Sequence, residues 1–213
     1  MGVLFGKREH LKRLRPYKVR PNTNAIPNCW EWGTLNHECI AGITACVEYI
    51  ADLGRHAAGN NHVGTTALGC PSGDARPLAT TRGVSERRTA IEAAYQAIHE
   101  HERALLERII AGLLTIPGLK IYGITDPARF DERCATLAVR IEDGKPGHSP
   151  LELATKLGDR GFFTWDGNYY ALNLTEHLDV EKSGGFLRIG LVHYNTAEEV
   201  DRLLAALREI VRA

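Results

Sequence analysis

The chain carries no net charge: its 26 Lys and Arg balance its 26 Asp and Glu. No global field therefore draws it to nucleic acid or to an acidic membrane surface. It lacks an apolar run long enough to span a bilayer, and nothing at its start reads as a secretory signal. The five cysteines (Cys29, Cys39, Cys46, Cys70, Cys134) are odd in number and contain no CxxC pair. That argues against a disulfide framework or a zinc site and for reduced thiols in the cytoplasm. There is no internal repeat. What remains is 213 residues, 44% of them hydrophobic, enough to bury a substantial core as one domain or as one and a part.

The most structured pattern lies near the end. Leu187, Ile189 and Leu191 alternate with Phe186, Arg188, Gly190 and Val192, the period of a strand with two unlike faces. With the leucine–isoleucine row facing a core, Arg188 points the other way, and Gly190 leaves the space beside it open. His193-Tyr194-Asn195 ends the strand, Thr196 and Glu199 form a capping box, and Val200, Leu203, Leu204, Leu207 and Val211 make one apolar helical stripe. An arginine fixed on a rigid strand suits bidentate capture of a carboxylate. An arginine on a solvated sheet face has the same spacing, so the pattern leaves both readings open.

Met1-Gly-Val-Leu-Phe-Gly6 reads as a short buried strand. The seven basic residues between Lys7 and Arg20 are broken by Leu11 and Leu14 at helical spacing, and Tyr17 stands without further stacking aromatics. A short solvated helix ending at Pro16 accounts for them better than a nucleic-acid interface. Pro21 to Pro27 is extended and turn-rich. Asn36 then caps a helix lined by Ile40, Ile43, Val47 and Ile50 and closed by Gly54. Gly33-Thr34, just ahead of that N-terminus, suits an anion or simple capping. Gly54 to Gly83 reads as a long loop: Gly64–Gly73 is not a P-loop, and His56 and His62 are loop histidines. Ser85 is expected to cap a long helix that runs to Pro117-Gly118, with His99 and His101 facing different ways. Strands follow at Leu119–Gly123 and Ala135–Ile141, and Ser149-Pro-Leu-Glu152 opens a helix with a capping box. The sum is a small α+β layer.

Gly161-Phe-Phe-Thr-Trp-Asp-Gly-Asn-Tyr-Tyr-Ala171 is the second stretch with chemical promise. A short strand runs into Asp166-Gly167, read as a turn. Its aromatics line a pocket mouth or cover core at a hairpin; spacing does not choose.

Arg188-Ile-Gly-Leu-x-His-Tyr-Asn-Thr-x-Glu-Glu-Val-Asp201 resembles the C-terminal signature of the class V aminotransferase family. These are fold-type I enzymes dependent on pyridoxal phosphate (PLP), and the resemblance is closest to the cysteine desulfurase-like group. Glu31-x-Gly33-Thr34-x-Asn36 resembles a second family element. The resemblance implies an α/β protein: the C-terminal portion of a PLP-dependent transferase fold. Residues 1–54 would be the last part of the large domain, 55–84 a flexible insertion, and 85–213 a small α+β domain. It also implies that Arg188 binds a substrate amino acid's α-carboxylate. Gly33 and Thr34 would reach the PLP phosphate of the other subunit of a homodimer, and Asp166, Tyr169 and Tyr170 would face the substrate side chain. In desulfurases of the family the corresponding loop carries a sulfur-accepting cysteine, whereas Trp165–Tyr170 holds none. The Met1–Gly6 strand resembles one that follows the family's Schiff-base lysine, so the chain is expected to begin just past that lysine and to be inactive alone. The alternative is a non-catalytic interaction or dimerisation module derived from the same family.

Overall fold

The computed structural model describes residues 2–59 and 81–212. Residues 60–80, with Cys70, His62 and the Gly64–Gly73 run, lie outside the described residues. The chain divides into two compact units, residues 1–94 and 95–213.

In the first unit, α1 (Arg8–Arg13) is the short exposed helix expected of the basic segment. The expected strand before it does not form. Val3, Leu4 and Phe5 are 78%, 86% and 86% exposed, and residues 2–6 have no regular structure. A strand is completed by hydrogen bonds to a neighbour, and none of the described strands pairs with this segment. The helix α2 (His37–Ala57) starts as read, with the Asn36 carboxamide oxygen accepting from the Cys39 N–H at 2.9 Å. It continues past Gly54, so His56 is helical. Gly54 is an inward-facing contact rather than a stop signal. A Cβ built on it would lie 1.7 Å from the Ala90 carbonyl oxygen of α3 (Thr81–Leu113). Ala51, Ala90 and Ala94 are buried around it, so the two helices meet backbone to backbone. Glu48, bonded to Arg87 at 2.8 Å, adds a polar link. Ser85 does not cap α3. The helix is already formed at Thr81, and Ser85 is an interior residue whose carbonyl accepts from the Thr89 hydroxyl.

In the second unit an antiparallel sheet carries β1 (Leu119–Tyr122), β2 (Thr136–Ile141), β3 (Trp165–Gly167) and β4 (Phe186–Gly190) in the order β1-β2-β4-β3. The helix α4 (Pro150–Gly158) opens with the expected capping box and Pro at its start. The short α5 (Leu172–His177) had no sequence signal, while α6 (Ala197–Arg212) begins at the Thr196–Glu199 capping box, with bonds of 2.9 and 3.2 Å. One face of the sheet (Leu137, Val139, Leu187, Ile189) packs in a single core with Ile109 and Leu113 of α3, Leu153 and Leu157 of α4, and Leu204 and Leu207 of α6. Each such side chain contributes about 1.5–3 kcal/mol by leaving water. His99 and His101 diverge as expected: one reaches Asp131, the other the Asn195 carbonyl. His148, buried at 6% exposure, links Asp143 (2.9 Å) to the Ile210 carbonyl (3.3 Å) near the end of α6.

The contact at Gly54 yields a test. Gly54→Ala is expected to force α2 from α3 and cost at least about 1–3 kcal/mol, as overpacking does. Gly42→Ala, on the same helix with nothing within 4 Å of the new Cβ, should be neutral or stabilising by about 0.5–1 kcal/mol. Thermal unfolding of both variants checks this; equal effects would refute the close approach.

Candidate functional site

The site is built on β4. That strand is hydrogen-bonded on both sides, with Ala138 of β2 and Trp165 of β3 as the two partners of Arg188. Side chains directly opposite across antiparallel strands share a face. Tyr122, Ala138, Arg188 and Trp165 therefore form one row across the sheet, on the face away from the helices. Leu187 and Ile189 are buried at 0% and 2%, and Arg188 between them is exposed. Its guanidinium carbon stands 5.5 Å from the centre of the Tyr169 ring, and no carboxylate among the described residues pairs with it. Gly190 leaves the neighbouring position open: a Cβ built on it would meet nothing nearer than the Thr136 hydroxyl at 4.0 Å, its chain neighbours aside.

The loop after β3 is held by more than the sequence suggested. Asp166-Gly167 is not the turn: both residues pair with β4, Asp166 opposite Leu187 and Gly167 opposite Phe186. The strand continues because Gly167 lies against Gly185, where a Cβ on Gly185 would sit 2.3 Å from the Gly167 carbonyl oxygen. The chain turns instead at Asn168–Tyr170, with Tyr169 and Tyr170 both left-handed at φ 53° and 64°. The Asn168 carboxamide accepts from the Tyr170 N–H at 3.0 Å and donates to Glu181 at 3.0 Å. The other oxygen of Glu181 accepts from the hydroxyl of Thr175, which is fully buried. Neither Glu181 nor Thr175 has a local sequence signal, whereas Asn168 is a residue type that bonds the backbone two positions on.

The expected site residues separate into three placements. Arg188 and the Trp165–Tyr170 loop come together around a cleft of about 600 Å³, and Arg188 also borders a second cleft of about 530 Å³ between the end of β4 and the start of α6. Tyr170 is fully exposed. Tyr169 turns its hydroxyl inward, 2.6 Å from the Trp165 carbonyl and 2.7 Å from that of Phe186, so it ties β3 to β4 and offers a substrate only its ring. Asp166 stands across from Leu187, on the opposite side of the strand from Arg188. Its charge still bears on Tyr169. Burial, chiefly, and Asp166 push the Tyr169 phenol up to about 12, while a backbone contact and the charge of Arg188 act in the opposite sense. Gly33 and Thr34 belong to the first unit, exposed, ahead of the Asn36 cap. No cysteine lines either cleft.

A family model described as aminotransferase class-V matches residues 77–203, more than half of the chain, and the chain belongs to that family. It is similar to a probable cysteine desulfurase of Staphylococcus epidermidis, at 26% identity over 98% of this chain and 41% of that protein. It is likewise similar to a cysteine desulfurase of Cronobacter sakazakii, at 33% identity over 100% of this chain and 42% of that one. The chain thus spans about two fifths of the length of these curated relatives. An apo cysteine desulfurase structure from Thermococcus onnurineus matches 61% of this chain and 31% of its own, with 23% identity and a TM-score of 0.47.

The tyrosine latch has a pH signature. A phenol raised in the folded state contributes stability that is complete below its ordinary value of 10 and is lost as pH rises through about 12. Phenolate absorbance should show Tyr169 among the last of the seven tyrosines to ionise. In Tyr169→Phe that late step disappears, and stability at neutral pH falls by about 0.5–1.5 kcal/mol, one hydrogen bond's worth. An unchanged alkaline titration in the variant would refute the latch.

Proposed function

We propose that this chain supplies the carboxylate-binding and phosphate-binding side of a PLP-dependent site that transforms an amino acid. The single observation that carries the reading is Arg188, a fixed cation on a strand paired on both sides, exposed, with no described carboxylate to neutralise it. The donor chemistry fits the two anionic groups such a site must hold. Arg188 offers a planar guanidinium to an α-carboxylate. The exposed Thr34 beside Gly33, ahead of the N-terminus of a 21-residue helix, offers a hydroxyl and unpaired backbone donors to a phosphate. When bound, PLP supplies the electron sink for a carbanion at the amino acid's α-carbon.

In this reading Arg188 binds and orients the substrate through its carboxylate. Thr34 serves the phosphate of a second subunit, which makes a homodimer the working unit. The Schiff-base lysine and the carboxylate that partners the pyridine nitrogen come from residues other than those of this chain. Lys7 follows the Gly-Val-Leu-Phe-Gly segment instead of preceding it. The Trp165–Tyr170 segment contains no thiol to accept sulfur, which counts against sulfur transfer through that loop. A cytoplasmic setting agrees with the free thiols Cys29, Cys39, Cys46 and Cys134 and with the lack of a membrane-length apolar helix among the described residues.

The test is PLP titration of the purified chain, borohydride reduction and peptide mapping, with sedimentation alongside. Labelling is expected to be substoichiometric and scattered over several lysines, on a dimer. A stoichiometric adduct at one lysine, abolished by Arg188→Ala, would make the chain complete by itself and overturn the reading. A monomer at every concentration would remove the cross-subunit role of Thr34.

A further inference from the structure

The cleft of about 600 Å³ beside Arg188 has a composition that its fold does not require. Among the described residues that line it, Arg188 is the one cation. Of its two acids, Glu181 is engaged by Asn168 and Thr175, and Asp166 is set on the far side of its strand. What the cleft presents to solvent instead is aromatic surface. Trp165, directly opposite Arg188 in the sheet, is 70% exposed, and Tyr170 is fully exposed on the adjoining turn. Two large aromatic side chains left in water beside a cation that no described carboxylate neutralises form a surface that a bound molecule would cover.

Resting on the proposed function, we infer that the substrate class is α-amino acids with a large, flat, apolar side chain, and that Trp165 and Tyr170 determine this preference. Opposed side chains on antiparallel strands have Cβ atoms about 5 Å apart. An amino acid held by its carboxylate on Arg188 therefore lays its side chain along the indole of Trp165. Among the described lining residues, acidic side chains find no second cation and basic ones no unengaged acid on the Arg188 side. Arg140, which is not one of them, is engaged by the Gly185 carbonyl and Ser183. A small side chain leaves both rings in water. The latch at Tyr169 keeps this geometry, since its hydroxyl fastens the strand of Trp165 to that of Arg188.

The test uses the isolated chain and needs no cofactor. Isotope-labelled protein is titrated with L-phenylalanine, L-alanine and phenethylamine, which has the ring but no carboxylate. The indole N–H of Trp165 and the Nε–H of Arg188 are followed by NMR. Phenylalanine is expected to move both signals and to bind about two- to tenfold more tightly than alanine, the range that aromatic pairing energies correspond to. Phenethylamine should leave Arg188 unmoved. In Trp165→Leu, an exposed edge position, and separately in Tyr170→Ala, the ratio of phenylalanine to alanine affinity should fall toward one. Equal affinity for phenylalanine and alanine overturns the substrate class but leaves carboxylate capture standing. No movement of Arg188 with either amino acid overturns the proposed function and this inference together.

Discussion

The structure of the second unit depends on the register of β4. Because side chains alternate along a strand, shifting β4 by one residue against β2 would expose Leu187 and Ile189 and bury Arg188. Removing two large apolar side chains from the core costs about 3–6 kcal/mol, and burying an unpaired guanidinium adds several more. Arg188 makes no ion pair of its own among the described residues. Its direction is set by its neighbours' burial, so the hydrophobic core orients the one group on which the functional reading turns.

The surroundings of Arg188 follow from the same strand. Pairing on its second side brings in β3, and with it Trp165, while the close Gly167–Gly185 approach delays the turn until Asn168. The latch at Tyr169 and the chain from Asn168 through Glu181 to Thr175 then fix the loop to two different elements. A surface held this way would lose little conformational freedom on receiving a ligand, which favours affinity from a small number of contacts.

Local pattern made much of this legible. The alternation of Leu187, Arg188 and Ile189, the capping boxes at Ser149 and Thr196, the Asn36 cap and the stripe from Val200 to Val211 all depend on residues a few positions apart and are found where expected. The strand nevertheless stops at Gly190, short of His193, and Phe186 is buried. What was misread depends on partners distant in sequence. Val3, Leu4 and Phe5 have the character of a strand, but strand formation needs a neighbour, and composition is silent on whether one is present. Gly54 has the look of a helix end, but across it lies Ala90, which turns the same residue into a packing contact. Asp166-Gly167 is a turn in most settings, yet Gly185 keeps it in the sheet. The role of Tyr169 was half visible: the ring was placed at the site, and the inward hydroxyl followed only from carbonyls on two strands.

Tyr169 and Tyr170 occupy the left-handed region in succession, a conformation that costs an L-residue with a side chain about 1–2 kcal/mol at each position. Glycine would escape that cost and give back about 0.5–1 kcal/mol through the greater freedom of its unfolded chain. At Tyr170, whose ring touches solvent on every side, glycine is therefore the more stable choice by a small margin. The fold alone does not account for an aromatic residue there; under the proposed reading, thermostability and ligand contact would pull this turn in opposite directions.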